Sequence, residues 1–216
     1  IQQDGSLLLF MAKGAVAVWR DGRLASLIDE LPAEHDSRFN DVIADPAGRV
    51  FCGTMPTDEH PATLYRLDLN GSITPVVEGV GVSNGMGFTP DGKQMYYTES
   101  MDYQIYQFDY DVNTGAISNQ RVFVKTPPDQ GVPDGMTVDG EGYVWSASAG
   151  GSTLTRFTPQ GAVERVIRFP ARMVSSVAFG GADMADIYVT TIGGNDRATE
   201  GPGAGALFRL QLGIQG

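Results

Sequence analysis

Four polar residues recur at one position of a repeated pattern in this sequence: Asn40, Asn84, Asp134 and Ser176. The intervals between them are 44, 50 and 42 residues, and each stands at the start of a short apolar segment. One carboxylate with two amide oxygens and a hydroxyl suits a hard cation such as Ca²⁺. Zn²⁺ would more often recruit His or Cys, and neither histidine of the chain occupies the repeated position. The pattern therefore predicts an oxygen-rich metal site.

A second interpretation of these residues stays open, because a polar residue followed by glycine, as Asn84 is by Gly85, is also a common turn former. Three such residues in the same register favour a site over three unrelated turns. Arg38 precedes Asn40 by two residues, and residues two apart on a strand share a face. Its guanidinium is therefore expected either at the same site or on the surface, paired with a neighbouring aspartate.

The elements that carry the four residues are predicted to be β-strands. Each residue opens a strand, which a turn of Asp, Pro and Gly joins to a second strand rich in β-branched and aromatic residues. Further strand pairs begin at 63–68, 104–109 and 153–157. Four strands in a period of about 45 residues are typical of a β-propeller blade. In such a fold the innermost strands line a central channel, where the four polar residues would converge.

The repeat predicts one incomplete blade, three full blades and a last blade of about three strands that ends near Leu210. Asp4 to Phe10 resembles the turn and second strand of a hairpin, so the first strand of that blade is expected upstream of Ile1. The only segment with helical character is 23–30, which is too short to compete with an all-β fold.

Composition excludes several classes of function. The formal net charge is −11, the chain has only three lysines, and no basic stripe is available for phosphates. Nucleic-acid binding and binding to anionic membranes are therefore not expected. No apolar run approaches the roughly 20 residues that cross a bilayer, so a soluble, cytoplasmic protein is predicted, with export undecided. A single cysteine, Cys52, excludes an internal disulfide framework.

Several segments together resemble the gluconolactonase, regucalcin and luciferin-regenerating-enzyme family of six-bladed propellers. They are Arg38-Phe39-Asn40-Asp41 with Asp45-Pro46-Ala47-Gly48-Arg49, Ser83-Asn84-Gly85-Met86, Pro133-Asp134-Gly135-Met136, Ala178-Phe179-Gly180-Gly181 and Gly205-Ala206-Leu207-Phe208-Arg209. The similarity runs in order along the whole chain. It implies a single propeller domain over residues 1–216 of the six-bladed type, lacking about 1–1.5 blades at its N-terminal end.

The resemblance also implies roles for individual residues. Asn84 and Asp134 would bind one divalent metal ion, with Ca²⁺ first and Zn²⁺, Mg²⁺ and Mn²⁺ as alternatives. Asp134 would also be the general base that activates water against a lactone carbonyl. Arg38 and Asn40 would contact the substrate.

Two departures from the family pattern are visible. The family has a further metal ligand, a glutamate on an early strand, and no residue of the present sequence matches it. Where the family has Asp-Ser after the second strand of one blade, this chain has Glu99-Ser100.

The sequence thus predicts a metal-dependent lactonase that opens a sugar lactone or a small aliphatic lactone. The alternative is a non-catalytic propeller that binds Ca²⁺ or a protein partner. The oligomeric state is not encoded in any recognisable pattern.

Overall fold

Five separate antiparallel sheets, the blades of a β-propeller, make up the chain in a computed structural model that describes residues 1–193 and 197–216. The sheets have three, four, four, four and three strands in chain order. This confirms the predicted succession of one incomplete blade, three full blades and a final three-stranded blade. A sixth blade and a single domain over the whole chain stay predictions.

The first compact unit is Ile1–Ser83 and contains two sheets. Its strands, in chain order, are β1 Leu7–Phe10, β2 Val16–Arg20, β3 Arg23–Ile28, β4 Phe39–Ala44, β5 Val50–Thr54, β6 Ala62–Leu67 and β7 Ile73–Val80. A short 3-10 helix, Pro32–Glu34, lies in the connection between the two sheets.

The second compact unit is Asn84–Gly216 and contains three sheets. Its strands are β8 Ser83–Phe88, whose first residue counts with the first unit, β9 Gln94–Glu99, β10 Gln104–Asp111, β11 Ala116–Lys125, β12 Val132–Val138, β13 Val144–Ala149, β14 Thr153–Phe157, β15 Val163–Arg168, β16 Val174–Gly180, β17 Asp186–Thr191 and β18 Leu207–Gln211. A 3-10 helix spans Pro128–Gln130, and the helix α1 spans Arg197–Glu200. No helix of the described residues has the length and apolar character needed to cross a membrane.

Buried aspartates shape the turns between the first and second strands of two blades. The Oδ1 atom of Asp139 accepts hydrogen bonds from the backbone nitrogens of Glu141 and Tyr143, at 3.0 and 2.9 Å. Asp45 does the same in the turn between β4 and β5. An aspartate that satisfies the turn's own N–H groups fixes the hairpin locally. This is why the turn pattern predicts the strands so well.

The helical character expected over 23–30 is wrong, because the structure has strand β3 at Arg23–Ile28. Arg20 pairs with Arg23 across a two-residue turn in which Asp21 and Gly22 have φ values of 50° and 76°. Asp-Gly is a favoured sequence for such a tight hairpin turn, since both central residues need positive φ. That dipeptide was the signal for a strand after it.

Apolar cores fill the space between neighbouring blades within each unit. In the second unit Trp145 is fully buried in a cluster with Leu154 and Ile187. In the first unit Cys52 is fully buried in a cluster with Phe39 and packs there as a small apolar side chain. Burial raises the pKa of the Cys52 thiol, so this cysteine is not a reactive one.

Candidate functional site

A β-bulge carries the candidate residue on strand β12. Asp134 and Gly135 together oppose the single residue Ala147, so the strand bends at this point and the side chain of Asp134 is re-aimed. Strand β4 has the same irregularity at Asn40 and Asp41. Bulges are common beside active sites, because they turn a side chain out of the regular alternation.

The three innermost strands of the second unit lie in close contact at their candidate positions. A Cβ atom added to Gly85 would overlap the backbone nitrogen of Met136 and lie 2.6 Å from the carbonyl oxygen of Asp134. A Cβ atom added to Gly135 would lie 2.5 Å from Oγ of Ser176. Glycine is therefore required at both positions, since only a residue without Cβ permits such an approach. The structure brings Asn84, Asp134 and Ser176 to adjoining strand starts.

Hydrogen bonds hold the side chain of Asn84 in a defined orientation. Its amide nitrogen Nδ2 donates to Oγ of Ser100 at 3.2 Å, and that hydroxyl donates to the carbonyl oxygen of Pro133 at 2.7 Å. Because the amide nitrogen is directed at Ser100, the amide oxygen Oδ1 is directed away from it. Ser100, which the sequence showed only as part of a departure from the family pattern, thus links Asn84 to the residue before Asp134.

Glu99, which stands where the family has an aspartate, stabilises the turn that follows β9. It is buried, and its two carboxylate oxygens accept hydrogen bonds from the backbone nitrogens of Met101 and Asp102, at 3.0 and 2.8 Å. A carboxylate that accepts two N–H bonds is a structural cap.

Arg38 and Asn40 are placed in the first unit. The Nη1 atom of Arg38 donates to Oδ1 of Asn40 at 3.1 Å, and Nδ2 of Asn40 donates to the carbonyl oxygen of Ser83 at 2.9 Å. Arg38 is exposed and Asn40 is half-buried. The hydrogen bond to Asn40 shows that the two side chains share a face, as their spacing predicted.

The carboxylate beside Asn40 is shifted towards its neutral form. Burial raises the pKa of Asp41, and a hydrogen bond of 2.8 Å from the backbone nitrogen of Val42 opposes the shift. Desolvation disfavours the charged form, so this bulge is a costly place for an ionised aspartate.

Two residues of the second unit offer part of the oxygen ligand set that a hard cation needs. Asn84 and Asp134 offer an amide oxygen and a carboxylate, both half-buried on adjoining strands. Within residues 1–193 and 197–216, no group of three or more His, Cys, Asp and Glu side chains is placed to hold a metal ion. A His- or Cys-rich zinc site is thus absent from the described residues, and any metal bound here would use neutral oxygens beside one carboxylate.

Comparison with known proteins defines the class to which this fold and these residues belong. The profile of the SMP-30/Gluconolactonase/LRE-like region matches residues 1–193, and the chain belongs to this family. The chain is 47% identical over 225 residues to the pentonolactonase XacC of Haloferax volcanii, covering 100% of this chain and 76% of that protein. It is 37% identical over 203 residues to a regucalcin of Danio rerio, covering 90% of this chain and 69% of the relative.

A solved structure of a luciferin-regenerating enzyme has the same fold. It superposes with a TM-score of 0.89 at 28% sequence identity, over 98% of this chain and 76% of that one. The family resemblance inferred from the motifs is thereby confirmed.

Proposed function

We propose that this protein is a lactone-hydrolysing hydrolase whose substrate is a sugar lactone and whose general base is Asp134. The observation that carries the proposal is the junction of β8 and β12, where backbone contact at Gly85 brings the starts of both strands together. The 47% identity to a pentonolactonase supports the reaction and favours a five-carbon lactone among the substrates.

The chain's own residues suffice to describe the proton movements. The carboxylate of Asp134 accepts a proton from water as the water oxygen attacks the lactone carbonyl carbon. The ring carbon–oxygen bond then breaks, and the proton held by Asp134 passes to the departing ring oxygen. The product is an open-chain hydroxy acid, which loses a proton to solvent at neutral pH.

We propose that Asn84, through Oδ1, and Asp134 hold one divalent metal ion. When bound, such an ion polarises the carbonyl oxygen of the substrate and offsets the negative charge that develops on it. Oxygen donors favour Ca²⁺. Zn²⁺, Mg²⁺ and Mn²⁺ are alternatives, since metal selection follows availability as well as ligand type.

We also propose that Arg38 and Asn40 bind the substrate. The guanidinium of Arg38 carries several N–H donors in a fixed plane, which suits the ring hydroxyls and the carbonyl oxygen of a sugar lactone. The hydrogen bond to Asn40 supports this role, because it orients an otherwise exposed side chain.

The experiment follows acid release from a pentono-1,4-lactone and from δ-gluconolactone after EDTA treatment and re-addition of Ca²⁺, Zn²⁺, Mg²⁺ or Mn²⁺. We expect activity to return with metal, and Asp134→Asn to lower kcat/KM by at least about 100-fold. The control is Asp183→Asn, which alters an exposed carboxylate in the same unit and should leave the rate unchanged.

Wild-type turnover by Asp134→Asn would contradict the assignment of the general base. A folded protein that turns over neither lactone with any of the four metals would instead be the non-catalytic propeller. Circular dichroism on each variant establishes that the protein is folded before rates are compared.

A further inference from the structure

A cavity of about 740 Å³ lies within the second unit, between strand β11 of one blade and strands β13 to β15 of the next. Phe123 and Phe157 form part of its apolar lining, and the 3-10 helix Pro128–Gln130 contributes residues to one end. Its volume is in the range of small-molecule binding sites. The proposed catalytic step uses none of these residues.

The wall formed by β13 and β14 is lined with hydroxyl groups. Ser146 pairs with Thr155 and Ser148 pairs with Thr153, so four hydroxyls stand on one face of the blade. Ser146 and Ser148 are only 5% and 8% exposed. Ala147, between them in sequence, also borders the cavity and packs in an apolar cluster with Leu154 and Val177. The cavity wall thus carries a row of hydroxyls at a place between two blades where apolar side chains are more usual.

These hydroxyls retain hydrogen-bonding capacity towards the cavity. Ser148 donates to the carbonyl oxygen of Gln130 at 2.7 Å, which fixes its orientation and leaves its lone pairs as acceptors. Within the described parts of the chain, the side-chain hydroxyls of Thr153 and Thr155 form no hydrogen bond to another protein group. A polar ligand in the cavity would satisfy them.

Two cations stand at the rim of this cavity. Lys125, at the end of β11, and Arg168, at the end of β15, are exposed and line it, together with one carboxylate, Asp129. Neither cation forms an ion pair with any residue that the structure describes. In a chain with a net charge of −11, two such cations beside one cavity are an unusual arrangement.

The cationic end of the cavity is also the end that carries Asp134. Arg168 pairs with Thr153 in the register of β14 and β15, and that register continues through Ser148 to Pro133 on β12. Pro133 lines the cavity and is the residue immediately before Asp134. A molecule released at Asp134 therefore has the hydroxyl-lined wall beside it in the same unit.

We propose that this cavity binds an open-chain, polyhydroxylated carboxylate, the anionic product of lactone hydrolysis. The inference rests on the proposed function for the identity of the product, and on the cavity for its chemistry. Lys125 and Arg168 attract the carboxylate, while the serine and threonine hydroxyls bond to the hydroxyls of the ligand. The neutral lactone lacks the charge, so the cavity selects product over substrate.

Isothermal titration calorimetry of the full chain with sodium gluconate tests the proposal. We expect saturable binding of one gluconate per chain, with markedly weaker binding of sorbitol, which lacks the carboxylate, and of acetate, which lacks the hydroxyls. The double variant Lys125→Gln, Arg168→Gln should bind gluconate at least about tenfold more weakly. The control Arg165→Gln, on β15 but outside the cavity, should bind like wild type.

A second variant tests the hydroxyl wall without a charge change. Thr155→Val keeps the shape of the side chain and removes its hydroxyl, so we expect gluconate affinity to fall about threefold or more while sorbitol loses its residual binding. Equal affinity of wild type and the double variant for gluconate, or equal binding of gluconate and acetate, would overturn the proposal.

The same variants separate this proposal from the proposed function. Initial rates of lactone hydrolysis should be unchanged in the Lys125→Gln, Arg168→Gln variant, because the proposed catalytic step uses none of the cavity residues, while its gluconate affinity falls as stated above. Gluconate binding by a protein without lactonase activity would refute the proposed function and retain the cavity as a site for hydroxylated acids. Lactonase activity in a protein that does not bind gluconate would refute the cavity proposal and retain the proposed function.

Discussion

Replacement of Gly85 by alanine tests whether the junction of β8 and β12 sets the geometry of the candidate site. The added methyl group would lie 2.6 Å from the carbonyl oxygen of Asp134 and 2.8 Å from the carbonyl carbon of Gly135, where ordinary contacts begin at 3.4 Å. The backbone nitrogen of Met136 would be nearer still, so the two backbones must part by about 1 Å, because no side-chain rotation relieves the overlap. We expect a loss of about 3 kcal/mol in the free energy of unfolding.

The same displacement moves Asn84 relative to Asp134. A misplacement of about 1 Å in a catalytic arrangement costs on the order of 100-fold in rate, so Gly85→Ala should lower kcat/KM for the lactone by that factor. The matched control is Gly87→Ala on the same strand. Its methyl group would meet a side-chain methyl of Val138 at 2.7 Å, which can rotate away, so we expect a loss of about 1 kcal/mol and near wild-type activity.

Urea unfolding followed by tryptophan fluorescence gives the free energy, and acid release gives the rate. Equal stability and equal activity for the Gly85→Ala and Gly87→Ala variants would refute the reasoning. Such a result would mean that the two innermost strands tolerate separation, and that their contact does not position the site.

Three further predictions concern stability. Arg156 is buried and donates to Asp139 at 2.7 Å, so Arg156→Met, which leaves that buried carboxylate with its N–H donors but without a cation, should cost about 3 kcal/mol in urea unfolding. Tyr65→Phe removes the hydroxyl bonded to buried Glu34 at 2.8 Å and should cost about 1–3 kcal/mol in the same assay. Burial raises the pKa of Asp41, so the protonated form of this side chain favours folding, and that contribution to stability is lost as pH rises through the folded-state pKa. Asp41→Asn removes the charge, so the variant should have a higher Tm than wild type at pH 7. At pH 3, where Asp41 is protonated in the wild type, the two Tm values should be equal.

The succession of blades could be predicted from sequence because each hairpin carries its own local signal. The turn aspartates Asp45 and Asp139 bond to the backbone within four residues, so the structure they impose is visible in a short window. The segment 23–28, now strand β3, was misassigned because it carries no local strand signal within its own residues. Its strand character comes from pairing with β2 through the turn at Asp21 and Gly22.

The candidate site was predictable in register but not in geometry. The repeat aligned Asn84 with Asp134, whereas the bulge at Asp134 and the hydrogen bond from Asn84 to Ser100 depend on which strands adjoin in space. The hydroxyl-lined cavity was equally hidden. Ser146 and Ser148 resemble a run of small core residues until their pairing with β14 shows that they share one face.

The most direct test of the central claim is a double-mutant cycle on lactone hydrolysis with Asn84→Ala, Asp134→Asn and the combined variant. If both residues act in one centre, each single change lowers kcat/KM by about 100-fold or more, and the combined variant is hardly worse than the poorer single one. Losses that multiply would place the two residues in separate roles. A wild-type rate in the Asp134→Asn variant would contradict the account altogether.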